Sequence, residues 1–273
     1  MFDVGTILVI AGLGLIAGTI GGMLGLGGSN IMIPGLVILF GQTTRQGFNQ
    51  HLYQAAAMIV NVCVAVAATW RHYQAGAIVP KVIRTMLPAA IAAILLGVWV
   101  SNRSAFSGTQ GPILLGRVMA CFLVYVIAMN IRRMFRQSRP VDAPLDLTYV
   151  TTPRSATVGT VMGFFAGLVG VGGGGIATPL QQVILNLRLR NCIANSAAVM
   201  CFSSIVGATY KNATLPAHGV AIHDSLMIAA LLAPTAIFGA TIGGKLTHVL
   251  PVRTVRFVFI LLMIAAAWKM AAI

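Results

Sequence analysis

The chain has 273 residues, of which 58% are apolar and only 8% charged, and it carries a formal net charge of +14. A soluble domain carries about 25% charged residues, so a soluble enzyme or binding module is excluded, and apolar blocks long enough to cross a hydrocarbon core indicate a polytopic membrane protein. The 18 Lys and Arg lie almost entirely between those blocks, as orientation by the positive-inside rule requires, rather than as the basic footprint of a nucleic-acid-binding surface.

The first apolar block runs from about residue 5 to 40, too long for one crossing. It follows Asp3, where a signal peptide would have a basic region, and reads as the start of the first membrane segment. At its middle stands GGMLGLGGSNIMIP, Gly21 to Pro34. Blocks at 53–70, 82–101 and 112–131 follow. Residues 132–154 carry five Arg, three Pro and two Asp and read as a cytoplasmic linker between a first membrane repeat (1–131) and a second (155–273). The second opens with another overlong block, 155–187, interrupted by AGLVGVGGGGIATP, Ala166 to Pro179, and continues through 192–210, 225–247 and 252–270.

The two halves align without gaps around the glycines. Gly18, Gly22, Gly25, Gly27, Gly28, Ile31 and Pro34 match Gly163, Gly167, Gly170, Gly172, Gly173, Ile176 and Pro179 at a constant offset of 145, and Pro112 with Arg117 matches Pro251 with Arg256. This is an internal duplication.

Charge counting tests the path of the long blocks. If each crosses once, the two sides receive 10 and 8 basic residues. If each is a hairpin returning to the side it left, one side collects Arg71, Lys81, Arg84, Arg132, Arg133, Arg136, Arg139, Arg154, Arg188, Arg190, Lys245, Arg253 and Arg256, which is 13 against 5. The expected fold is therefore an all-α integral membrane protein of two inverted repeats, five helical pieces each, with the first two pieces of each repeat a glycine-rich broken hairpin. Both termini would then be extracytoplasmic.

Glycine clusters in mid-membrane need a reason, because unpaired backbone groups there cost several kcal/mol unless buried in protein or facing a cavity. A helix resuming after such a break presents free N–H groups and the positive end of its dipole, which can hold an anion without a cationic side chain. Candidate substrate-binding residues are Gly25, Gly27, Gly28, Ser29 and Asn30 in the first cluster and Gly170, Gly172, Gly173, Gly174 and Gly175 in the second. Polar residues inside other blocks join them: Gln54 and Asn61, then Asn195 and Ser196. For Gln54 and Asn195, which align once a four-residue loop difference is allowed, interhelical hydrogen bonding is an equal alternative. Ser203 and Ser204 read as interhelical partners. Gly14, Gly18, Gly22, Gly163, Gly167, Gly239 and Gly243 have the G-x-x-x-G spacing of close helix packing.

Other signals point elsewhere. Gly170, Gly172 and Gly175 satisfy G-x-G-x-x-G, but neither a preceding strand nor a following acidic residue is present, so a dinucleotide site is rejected. The chain has no Glu, and its four Asp (Asp3, Asp142, Asp146, Asp224) stand at the N-terminus, in the linker and at a block edge. Intramembrane carboxylates, the usual relays of cation pumps, are thus missing, and so is H-E-x-x-H. The four Cys show no C-x-x-C spacing, so no metal or cofactor is expected. Arg117 and Arg256 are gate charges or interfacial snorkelling residues. His51, one turn from Gln54, is a protonatable group near the site or a loop-edge histidine.

The G-x-x-G-x-G-G form of Gly22 to Gly28 and Gly167 to Gly173, each followed six residues on by Pro, with Asn195-Ser196-Ala197 and His218-Gly219, resembles the sulfite exporter TauE/SafE family over essentially the whole chain. The resemblance implies transport of a small sulfur-containing or carboxylate anion, such as sulfite, sulfoacetate or a related organosulfonate, often outward. The first copy departs from the second in placing Ser29-Asn30 where the second has Gly174-Gly175.

The expected function is a secondary transporter or facilitator of a small anion in a bacterial inner membrane, with the bilayer and the anion as partners, no nucleic acid, and a homodimer as one assembly open to it. Energy coupling is read as facilitated diffusion or histidine-mediated proton coupling. The alternatives are a non-transporting accessory subunit and an intramembrane enzyme, for which Ser29 and Ser196 lack an evident His partner.

Overall fold

The computed structural model describes residues 3–40, 49–106, 110–135, 146–247, 249 and 252–271. Pro251 and linker residues 136–145 lie outside the described residues, as does the side chain of Arg256.

Among the described residues the chain is all-helical. In order come α1 (Val4–Leu24), α2 (Ser29–Phe40), α3 (Gln50–Gln74), α4 (Pro80–Ser101), a 3₁₀ turn (Ser104–Phe106) and α5 (Gly111–Phe135). The second half gives α6 (Thr152–Val169), α7 (Gly174–Ile184), α8 (Leu189–Thr214), a 3₁₀ turn (Leu215–His218), α9 (Ile222–Leu246) and α10 (Val252–Ala271). Six of these segments are long and apolar enough to cross a membrane, and α2 is a shorter apolar helix. Exposed Leu8, Leu96, Phe202 and Phe238 turn apolar surface outward, as a lipid-facing exterior requires. The molecule is a multi-pass membrane protein.

Both overlong apolar blocks are broken where the glycines fall. Helix α1 ends at Gly25 (φ 62°) and α6 at Gly170 (φ 79°), each in the left-handed region and each donating its N–H to the carbonyl four residues back, Gly21 and Ala166. A side chain there would be strained, so the glycines terminate the helix and satisfy one orphan carbonyl at once. In both halves the chain turns within four residues and resumes as α2 and α7.

Packing between the halves is reciprocal. Helix α1 lies along α9 and α6 lies along α4, while α3 faces α8 and α5 faces α10. The flanking glycines make the first two pairings possible. A Cβ on Gly18 would stand 2.2 Å from the Ala236 carbonyl oxygen, and one on Gly163 would stand 2.2 Å from that of Ala90. Such backbone-to-backbone approach is what small residues supply in membranes, where no hydrophobic effect drives helices together. Gly14, Gly22, Gly167, Gly239 and Gly243 meet the opposing backbone in the same way, so the packing reading of these positions holds.

Candidate functional site

The reciprocal packing brings the two broken hairpins tip to tip. A Cβ on Gly174 would lie 2.1 Å from the Gly25 carbonyl oxygen and 2.8 Å from Leu26 Cα, so the first turn of α7 rests directly on the first tip. Gly27 and Gly172, both at positive φ, face the same two side chains from opposite hairpins. A Cβ on Gly27 would meet Met200 Sδ at 2.9 Å and Asn61 Oδ1 at 3.0 Å, and one on Gly172 would meet Met200 Sδ at 2.6 Å and Asn61 Nδ2 at 2.9 Å. Helices α3 and α8 thus each send one residue between the tips.

Asn61 organises the first tip. Its Nδ2 donates to Ser29 Oγ at 2.7 Å, and its Oδ1 accepts from the Ser29 backbone N–H at 3.2 Å. The side chain caps α2 from a neighbouring helix, satisfying one of the donors that a helix start leaves open. In α7 the cap residue is Gly173, at φ 76°, which has no side chain with which to cap the helix. The first-turn amides of Asn30 in α2 and of Gly174 and Gly175 in α7 have no acceptor within their own helices.

Asn30 is the unusual member. It is fully buried, and neither its Nδ2 nor its Oδ1 has a hydrogen-bond partner. Its Nδ2 lies 3.3 Å from where a Cβ on Gly175 would be, so the amide stands beside the uncapped first turn of α7. Leaving a buried amide unpaired costs about 1–3 kcal/mol, so an amide retained at that cost calls for a partner. Gly28 packs internally, against Met32 and the Ala17 carbonyl.

The aligned pair Gln54 and Asn195 separates in space. Gln54 lies against the second tip, its stem under Gly170 and its Nε2 donating weakly to the Leu168 carbonyl at 3.5 Å, while its buried Oε1 has no partner. Asn195 accepts from the Val79 N–H at 2.8 Å and donates to Gln181 Oε1 at 3.2 Å. Ser196 Oγ accepts from Gln181 Nε2 at 2.8 Å and shares a hydrogen bond with Thr178 at 3.2 Å. These bonds tie α8 to α7 and to the residue preceding α4. The tips therefore gather Gly25, Gly27, Ser29, Asn30, Asn61, Gly172, Gly174 and Gly175, with Gln54 and Gly170 at the edge and Asn195 and Ser196 in a neighbouring hydrogen-bond network.

Two further placements matter. Arg117 is exposed on α5. His51 is buried and meets Lys211, a residue 1% exposed near the end of α8. In the sequence Lys211 counts only among the five basic residues of the less basic side, and its burial beside His51 was not foreseen. The available signal was position: it stands one residue past the 192–210 apolar block and seven before the singled-out His218.

Comparison with known proteins agrees in kind. A family model described as "Sulfite exporter TauE/SafE" matches residues 10–270. Proteins named "Probable membrane transporter protein MamO" from Paramagnetospirillum magneticum and Magnetospirillum gryphiswaldense are 26% and 25% identical over 98% of this chain, which spans 45% of each of them. A "Probable membrane transporter protein YunE" from Bacillus subtilis is 24% identical, with 91% of both chains covered. No solved structure matches. With its family model running from the middle of α1 to the end of α10, the chain belongs to the TauE/SafE sulfite exporter family of membrane transporters.

Proposed function

We propose that this protein moves a small oxyanion, a sulfite, an organosulfonate or a related sulfur-containing or carboxylate anion, outward across a bacterial inner membrane. The anion binds between the two hairpin tips, held by the first-turn N–H groups of α2 and α7 and by the Asn30 amide. One observation carries this reading: a fully buried amide with no partner stands against an uncapped, glycine-only helix start. An oxyanion supplies the acceptor both need, and helix dipoles favour its charge without a buried cation.

The duplication supplies the cycle. Two inverted repeats give a pseudo-symmetric pair of hairpins, and rocking one repeat against the other would expose the shared midplane site alternately to each side. The reciprocal helix pairings support this architecture. The positive-inside distribution supports extracytoplasmic termini.

The test is flux. Proteoliposomes holding the purified chain are expected to show saturable movement of labelled sulfite, sulfoacetate or methanesulfonate, weakened by Asn30→Ala. Absence of flux for every small oxyanion tried would remove the proposal.

A further inference from the structure

The second concentration of buried polar groups lies at the end of the bundle where α3 begins and α4 and α8 end. Lys211 Nζ donates to His51 Nδ1 at 2.7 Å, to Ser101 Oγ at 2.9 Å and to Asn102 Oδ1 at 3.4 Å. An ammonium has three N–H donors, and here all three meet neutral acceptors.

The surrounding bonds fix the protons. His51 Nε2 stands 3.0 Å from the Phe106 carbonyl, which can only accept, so Nε2 carries the hydrogen and Nδ1 turns its lone pair to Lys211. Asn102 uses its amide nitrogen on Thr214 Oγ1 at 3.0 Å, leaving its oxygen to accept from Lys211 and from His218 Nε2 at 3.1 Å. The two imidazoles are stacked with centroids 3.7 Å apart. These bonds are all satisfied in the proton-loaded form of the cluster, with the extra proton lying between Lys211 Nζ and His51 Nδ1 and with His218 neutral.

Among the described residues no carboxylate joins the cluster. Of the described charged groups near it, the Arg103 guanidinium lies over the Trp99 ring at 3.5 Å, and His223 Nδ1 faces Asp224 Oδ1 at 3.9 Å. Among the described residues the ammonium therefore has no fixed counter-charge, an arrangement stable only with full hydrogen bonding or a mobile counter-ion. Polar groups lead from it toward the tips. Gln54, one turn along α3 from His51, presses on Gly170 and keeps a buried, unpartnered Oε1, and the amide of adjacent Gln50 is likewise buried and unpartnered.

We propose that Lys211, held by His51, Ser101 and Asn102, is a proton-binding site, and that the proton is co-transported with the anion at the hairpin tips. The inference rests on reading the tips as an anion site. When the anion binds, an N–H bond forms at the Lys211 amine as an O–H bond of a hydronium ion in the adjoining aqueous phase breaks, giving the proton-loaded form of the cluster. When the anion leaves, that bond breaks and the proton leaves with it, with no electron transfer. Neutral Lys211 has two N–H donors for three acceptors, so losing the proton also breaks one of the three bonds that tie α8 to α3 and to the end of α4. Linkage is reciprocal: each ligand raises the affinity for the other by the same factor.

The experiment uses the full chain in proteoliposomes loaded with a pH-sensitive dye, with sulfoacetate and methanesulfonate as probes, because both stay fully ionised between about pH 6 and 9. The wild type is expected to move about one proton per anion, with an anion KM that rises up to tenfold per pH unit in the alkaline part of that range. Lys211→Arg holds a proton that arginine does not release, so its proton-to-anion ratio is expected to fall to near zero and its KM to become independent of pH. Anion flux in the wild type without protons overturns the proposal and leaves the tip site standing. A wild-type proton ratio in Lys211→Arg also overturns it. Absence of any oxyanion flux instead overturns the reading of the tips. Should Lys211→Arg not fold, the wild-type ratio and its pH dependence decide alone.

Discussion

Gly174 and Gly175 are neighbours in sequence, yet adding one methyl to each should have opposite consequences. At Gly174 the methyl would stand 2.1 Å from the Gly25 carbonyl oxygen and 2.8 Å from Leu26 Cα. Both obstacles are backbone, so one hairpin tip must retreat by roughly 1 Å to restore ordinary contact distance, at a cost of about 1–3 kcal/mol. At Gly175 the nearest atoms are Asn30 Nδ2 at 3.3 Å, Val126 Cγ2 at 3.4 Å and Phe122 Cζ at 3.8 Å. That methyl fits with small adjustments, and the helix gains up to about 1 kcal/mol from replacing glycine. The same methyl covers the first turn of α7 beside the Asn30 amide. Losing one hydrogen bond to a charged ligand costs about 1.5–3 kcal/mol, or roughly 10- to 150-fold in KM. The paired assay is thermal unfolding in detergent together with oxyanion flux in proteoliposomes. Gly174→Ala should unfold earlier than wild type, and Gly175→Ala should keep wild-type stability while its KM rises. A Gly175→Ala protein with a KM within about twofold of wild type would refute the placement of the anion at α7.

Asn30→Ala removes a buried amide with no partner, so it should leave stability unchanged or raised by about 1 kcal/mol while lowering transport at least about tenfold; a loss of stability would show that the amide has a structural role. Gly163→Leu places a Cβ 2.2 Å from the Ala90 carbonyl oxygen and should cost about 3 kcal/mol or more by prising α6 from α4, whereas Gly12→Leu, whose Cβ meets nothing within 4 Å beyond its own helix backbone, should be tolerated; denaturation in mixed micelles separates the two. In a cysteine-free background, a single Cys at position 219 should react with a membrane-impermeant maleimide on intact cells and one at position 76 only after permeabilisation; the reverse pattern would invert the orientation.

Much of this architecture was legible because membranes restrict the options. Apolar blocks of 36 and 33 residues, at 5–40 and 155–187, each centred on glycines, had to be broken helices, and the structure breaks them at Gly25 and Gly170. The G-x-x-x-G spacing announced that α1 and α6 have a flat face, although it carried no information on which helix lies against it; that α9 and α4 do so is a property of the assembled bundle. The tip cluster was legible in its glycines and in Asn61, since a polar side chain in mid-membrane needs a partner. Its least expected member was the division of labour between aligned residues: Gln54 reaches the second tip, while Asn195 is committed to Val79 and Gln181. Lys211 stayed hidden for a different reason. A lysine at the end of an apolar block reads as an interfacial charge, and its ligands His51, Ser101 and Asn102 are 160, 110 and 109 residues away in the chain, so nothing local marks it as buried.

Flux of labelled oxyanion in proteoliposomes, compared between wild type and Asn30→Ala at matched protein insertion, tests the central claim most directly. Saturable sulfite or sulfonate flux in the wild type, reduced at least about tenfold in a variant of undiminished stability, is the predicted result. Equal flux in the two proteins would contradict an anion site between the hairpin tips, and no flux in either would contradict anion transport by this chain.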